Sequence, residues 1–201
     1  AYLRIAEGCS NSSAYCIIPK LRGRYRSRPM EDILTEARAL AADGVKECIV
    51  IAQDITRYGI DLYHEKKLPE LLRELCKLDF HWIRLHYLYP DTITDELIDT
   101  IASEPKICKY IDMPIQHCND TILKAMRRHE THAGLLALME KLRARIPGVV
   151  LRTSLITGLP YEDEAAFDEL CEFLRETHIE RVGVFPYSPE EGTPAAEMPN
   201  R

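Results

Sequence analysis

Six short apolar runs, each followed by a stretch with helical periodicity, limit this chain to folds built on parallel strands. The runs are Tyr2–Ala6, Glu47–Ala52, Trp82–Leu88, Tyr110–Met113, Val149–Ile156 and Arg181–Phe185. Parallel neighbours need a crossover of a dozen or more residues, and helices supply it. Helices are predicted over Met30–Ala42, Leu68–Leu78, Thr94–Ser103, Thr121–Arg127, His132–Arg145 and Asp163–Glu176. In the first, Ile33, Leu34, Ala37, Leu40 and Ala41 recur at spacings of three and four, after Pro29 and before Gly44. Thr94 or Asp91 caps the third, and the acidic start of the last suits the helix dipole. With right-handed crossovers, this order predicts an α/β fold, a partial (β/α)6 TIM-like barrel of parallel strands with helices outside. An irregular, proline-rich tail runs on through Arg201.

Such a fold gathers the residues just past each strand's C-terminal end onto one ligand-binding face. That rule picks out the loop Cys9–Cys16, the stretch Gln53 to Gly59, and Tyr87 with Tyr89-Pro90. It adds Pro114 to Cys118, Thr157 to Pro160, and Tyr187-Ser188. The set is polar, aromatic and glycine-rich, whereas the strands are apolar. Hydrophobic content of 46% and charge of 29% fit a soluble globular protein, and no apolar run approaches a membrane span. The opening residues are already patterned as a core strand, which suggests a domain taken from something longer. Seven cysteines without framework spacing favour a reducing, cytoplasmic setting.

The loop Gly8-Cys9-Ser10-Asn11-Ser12-Ser13-Ala14-Tyr15-Cys16 reads C-x3-S-x2-C. Two thiolates in a small-residue loop begin a metal site; the bland alternative is a loop with two unrelated cysteines. The segment 20–28 carries Lys20, Arg22, Arg24, Arg26 and Arg28 and no acid, so it is either a solvated loop or a contact for RNA or an acidic protein. The net charge of −6 argues against the whole surface being a nucleic-acid footprint. His117-Cys118 lacks the partner pair of a zinc site, and His81 and His86 read as structural. Gly158-Leu159-Pro160-Tyr161-Glu162 has neither the spacing nor the Lys-Ser/Thr ending of a phosphate loop.

The cysteine loop is similar to the signature loop of radical S-adenosylmethionine (SAM) enzymes, with Ser13 where that motif has its middle cysteine. Further runs extend the resemblance along the chain: Ile18-Pro19-Lys20, Ala52-Gln53-Asp54, Leu88-Tyr89-Pro90, Met113-Pro114-Ile115-Gln116-His117, Arg152-Thr153-Ser154 and Tyr187-Ser188-Pro189-Glu190-Glu191-Gly192-Thr193. Together they resemble the radical SAM methylthiotransferases, in particular the branch acting on a ribosomal-protein aspartate. The branch acting on tRNA adenosine is the alternative, as is a non-catalytic, cluster-free binding module of the same fold.

The resemblance implies a 4Fe-4S cluster held by Cys9 and Cys16, with Ser13 at the third position, and SAM bound at the open iron. Reductive cleavage of SAM would start the reaction on the aspartate β-carbon of a small-subunit ribosomal protein, fed by an electron donor. Tyr15 and Tyr187 would border the adenine, and Gln53 and Asp54 the methionyl ammonium. Gln116, Thr153 and Gly158 would line the rest. The family also implies an N-terminal cluster domain and a C-terminal substrate-binding β-domain; residues 1–201 match only the single core domain between them. Tyr161 stands where the family has glycine, and is expected to add bulk beside the SAM pocket. A hydroxyl is a harder, far less acidic ligand than a thiol, so Ser13 puts the activity of this chain in doubt.

Overall fold

A computed structural model describes residues 1–199; the last two of the tail, Asn200 and Arg201, lie outside the described residues. Six parallel strands follow one another around the sheet: β1 (Tyr2–Arg4), β2 (Glu47–Ile51), β3 (Trp82–Leu85), β4 (Tyr110–Asp112), β5 (Val150–Thr157) and β6 (Arg181–Pro186). The ladder is continuous over β1-β2-β3 and over β4-β5-β6. The halves meet in a thinner seam, a bridge between Ile83 and Ile107 and a bond from Leu88 N–H to the Asp112 carbonyl at 2.9 Å. This is the partial barrel that the alternation predicts.

Alternation along each strand sorts the two faces of the sheet. Val50, Ile83, Leu85, Ile111, Leu151 and Leu155 point to the helices, where they join Ile33, Leu72, Leu97, Leu142 and Phe173 in the main core. Each such side chain contributes about 1.5–3 kcal/mol on full burial, so this face holds the fold together. The opposite, inner face carries Glu47, Arg84, Asp112, Arg152 and Ser154.

The structure differs from the sequence reading at several ends. β3 stops at Leu85 rather than Leu88, because Tyr87 turns left-handed at φ 67°. The second long helix ends at Cys76, and Thr94 Oγ, not Asp91, caps the third by accepting from Leu97 N–H at 3.1 Å. An antiparallel pair of two-residue strands, Ala6–Glu7 and Arg26–Ser27, closes the basic segment back on the chain's start. The tail is no loose end: Pro194–Glu197 forms a 3-10 turn, and Ala195 N–H donates to the Ala14 carbonyl at 2.9 Å. No helix among the described residues is long and apolar enough to cross a membrane.

Candidate active site

The cysteine loop follows the first strand pair and is fastened at both ends. Cys9 N–H donates to the Gly23 carbonyl at 3.0 Å, and Ala14 N–H to the Met126 carbonyl at 2.9 Å. Gly8 is required here: at φ 80°, an added Cβ would sit 2.3 Å from the Arg24 carbonyl oxygen. Cys9 and Cys16 are half-buried free thiols, and Ser13 is buried at 8% exposure. Burial, with the Asp54 charge adding to it, pushes the Cys9 thiol up. A cleft of about 410 Å³ is lined by Ser12, Ser13, Cys16, Lys20, Arg127 and the Gly192-Thr193-Pro194 turn.

The loops past the strands converge on this one, as expected. Gln53 and Asp54 follow β2, and they play different parts. Asp54, 1% exposed, accepts from Thr56 N–H and Thr56 Oγ on Oδ1 and from Asn11 Nδ2 at 3.1 Å on Oδ2, and forms an ion pair with Arg57 Nε at 3.4 Å. Burial pushes its carboxyl up, and those bonds work against that shift. The Asn11 bond ties the cysteine loop to the segment past β2. Gln53 Oε1 is buried with no hydrogen-bond partner among the described residues. A buried carbonyl left so costs about 1–3 kcal/mol, which a ligand's N–H would recover.

Past β4, Gln116 adopts a left-handed backbone, φ 70°, while its N–H and C=O bridge to β5 at Ser154 and Ile156. Thr153 is turned away: its hydroxyl donates to the Met113 carbonyl at 2.8 Å and accepts from Ile115 N–H at 3.1 Å. It therefore sets the loop past β4. Gly158, at φ 77°, has open space where a side chain would go. Tyr15 and Tyr187 pack on one small apolar cluster with Ala14, Ile156 and Leu159.

His117, fully buried, braces the loops past β4 and β5. Its Nδ1 accepts from Cys118 N–H and Asn119 N–H, both at 3.0 Å, so Nε2 carries the proton and donates to Glu162 at 2.8 Å. Glu162 in turn accepts from Gly158 N–H at 2.6 Å. Burial lowers the His117 pKa, partly offset by Glu162. The unfolded chain therefore binds more protons as pH falls below about 6.5, and stability is lost from there down to the depressed folded value. Urea denaturation is expected to show a decline between pH 7 and 5 that is shallower in His117→Gln. An unchanged slope would remove His117 as its source.

Tyr161 also has a left-handed backbone, φ 72°. Its ring lines a groove with Thr121, Lys124, Ala125 and Met198, so its bulk falls there. The misfit is in the backbone, and Tyr161→Gly is expected to be about 1 kcal/mol more stable than Tyr161→Ala in chemical denaturation. Equal midpoints would show that no strain is held there.

Sequence reasoning missed Arg128. It is 5% exposed, donates to Tyr15 Oη at 3.3 Å and to the Pro114 carbonyl at 3.0 Å, pairs with buried Glu130, and lies 4.4 Å above the Tyr89 ring. One guanidinium thus ties the cysteine loop to the exits of β3 and β4. Its only sequence signal is an arginine just past a predicted helix. Cys118 gains neighbours that the spacing hid, since its thiol lies with His132 and Glu169 within 4.8 Å. Those two already pair at 2.7 Å, and burial holds the thiol at about 12, so the group is satisfied without an ion.

A sequence profile of the radical SAM superfamily matches residues 3–174. The chain belongs to the radical SAM superfamily. This radical SAM chain is 54% identical over 200 residues to the ribosomal protein uS12 methylthiotransferase RimO of Clostridium acetobutylicum, covering 99% of this chain and 45% of that protein. It is 56% identical over 202 residues to the RimO of Geobacter sulfurreducens, covering 100% and 45%. The radical SAM chain thus spans less than half the length of these relatives. Among solved structures, the radical SAM methyltransferase TsrM of Kitasatospora setae, with cobalamin and a [4Fe-4S] cluster bound, superposes with a TM-score of 0.80 at 17% identity, over 98% of this chain and 38% of that one. At that identity the likeness concerns the fold.

Proposed function

We propose that this chain is the single-domain radical SAM core of a uS12 methylthiotransferase, which adds a methylthio group to an aspartate β-carbon of that small-subunit ribosomal protein. The observation that carries this is the cysteine loop, closed over the strand exits in a chain 54% identical to such an enzyme along nearly its whole length. The residues fit SAM: Gln53 Oε1 is an orphaned acceptor for its ammonium, and Gly158 leaves room for close approach. They fit a 4Fe-4S cluster in part, with Cys9 and Cys16 as thiolates and the Ser13 hydroxyl as a poor third. Cluster-bound SAM supplies one-electron chemistry able to activate a C–H bond, with electrons from an external donor.

The chain's own residues perform the positioning. Asp54 and Arg128 hold the cysteine loop in place, and Thr153 and the His117–Glu162 pair hold the loops that face it. Tyr15 and Tyr187 supply the apolar wall for the adenine. A second reading, a cluster-free module of the same fold, is favoured by Ser13 alone. Reconstituted Ser13→Cys protein, reduced in the presence of SAM, is expected to release 5′-deoxyadenosine and methionine. A four-iron protein that leaves SAM intact would overturn the enzymatic reading.

Contact with ribosomal RNA falls to Arg24. Arg22 pairs with Glu7, Arg28 with Glu36, Arg26 bonds backbone carbonyls, and Lys20 reaches the Gly192 carbonyl. Arg24 is exposed beside Cys9, Ser10 and Asn11. Arg24→Glu is expected to weaken sedimentation with the small subunit at low salt, with little effect at high salt. Equal binding at both would remove this contact.

A further inference from the structure

The inner face of the sheet carries charged side chains beside apolar ones such as Ile49 and Ile51, whereas the other face is apolar. Arg152 Nη1 donates to Asp112 Oδ1 at 2.9 Å and to Ser154 Oγ at 2.9 Å. Asp112 is 2% exposed, and His86 Nδ1 approaches its other oxygen at 3.8 Å. Arg84 pairs with Glu47 and lies 5.2 Å over the Tyr110 ring. Arg181, in register beside Arg152, has no carboxylate partner among the described residues. Glu47 and Asp112 thus face Arg84, Arg152 and Arg181, which leaves this face one positive charge in excess with His86 neutral.

Arg152 is the cation with a hand free. All its hydrogen bonds within the described residues run through Nη1, which leaves Nη2 and Nε open. Its side chain keeps 29% exposure on this open face. Nη2 passes over Gly183 of β6, 3.5 Å from where a Cβ would stand, an ordinary contact distance. Register pairs Arg152 with Asp112, the last residue of β4, and with Arg181, the first of β6, so its guanidinium lies on the inner face beside the end of β4. An arginine fixed by one nitrogen, with a planar edge left partly exposed, can receive a carboxylate.

We infer that the free edge of Arg152 binds the side-chain carboxylate of the peptide substrate and selects aspartate over its neutral isostere. This assignment rests on the reading of the substrate as an aspartate-bearing protein segment. It also gives Asp112 a task, since that buried carboxylate orients the guanidinium and fixes which edge remains available.

The test is calorimetric binding to the full chain of a uS12-derived peptide carrying the target aspartate, and of the same peptide with Asn. The wild-type chain is expected to favour the Asp peptide by about 10- to 100-fold, the range for a hydrogen bond to a charged group. Arg152→Gln is expected to bring the two within about twofold, while Arg152→Lys keeps part of the preference. Because Arg152→Gln leaves Asp112 without its counter-charge, Arg152→Gln/Asp112→Asn serves as the folding control and is expected to lose the preference equally. An Asp preference that survives in both variants would overturn the assignment and leave the substrate reading intact. Wild-type binding of both peptides alike, or of neither, would overturn the substrate reading and the assignment with it.

Discussion

Ser13→Cys is expected to raise the iron held after anaerobic reconstitution to about four per chain, against less than about half of that in the unaltered protein. The site is built for the change. Position 13 lines the same cleft as Cys16, and the flanking backbone is fixed by the Ala14 bond to Met126 and the Cys16 bond to the Ser13 carbonyl. Sulfur for oxygen at a residue 8% exposed asks for a small outward adjustment, not a new loop conformation. What serine lacks is softness and acidity: thiols ionise near 8.5 when free, and metal binding draws the proton off, whereas an alcohol resists. Iron and acid-labile sulfide analysis, with the absorbance of the reconstituted protein, reads the outcome. Four irons in both forms would mean that serine suffices; none in either would mean that the loop is not a cluster site.

Arg128→Met is expected to cost about 3–5 kcal/mol of stability, the range for breaking a buried ion pair from one side. Glu130, 4% exposed at its side chain, would be left charged in a place built for a guanidinium. The Pro114 carbonyl and the Tyr15 hydroxyl would each lose a donor as well. Arg128→Met/Glu130→Leu removes both charges and is expected to recover much of the loss. Urea denaturation of the two variants measures this, and a loss below about 1 kcal/mol in Arg128→Met would show that water or another group replaces the arginine.

The scaffold was legible because its signals are local. The spacing of Ile33, Leu34 and Ala37, or the alternation of Leu151, Thr153 and Leu155, needs only neighbouring residues to be read. The rule of converging strand exits then brought the cysteine loop, Gln53, Gln116 and Gly158 to one end. What it could not give is which atoms are already engaged. Asp54 and Thr153 read as ligand contacts, yet Asn11 and Thr56 occupy the first, and the backbone at 113 and 115 the second. Arg128 and the inner arginines were hidden for the same reason, since their partners come from distant parts of the chain. Glycine at 158 announces its backbone need, while Gln116 and Tyr161 take the same left-handed region without any such mark.

The return of the tail to the cysteine loop has a consequence for how this protein is made. Lys20 and the Gly192 carbonyl that receives its ammonium are 172 residues apart, and Ala14 waits as long for Ala195. At ribosomal speeds, the wall of the cleft leaves the synthesis machinery on the order of ten to thirty seconds after the loop it completes. During that interval Cys16 stands in a cleft that lacks its Gly192-Thr193-Pro194 wall. A chain cut short before residue 192 would fold its barrel and leave this cleft without its Gly192-Thr193-Pro194 wall.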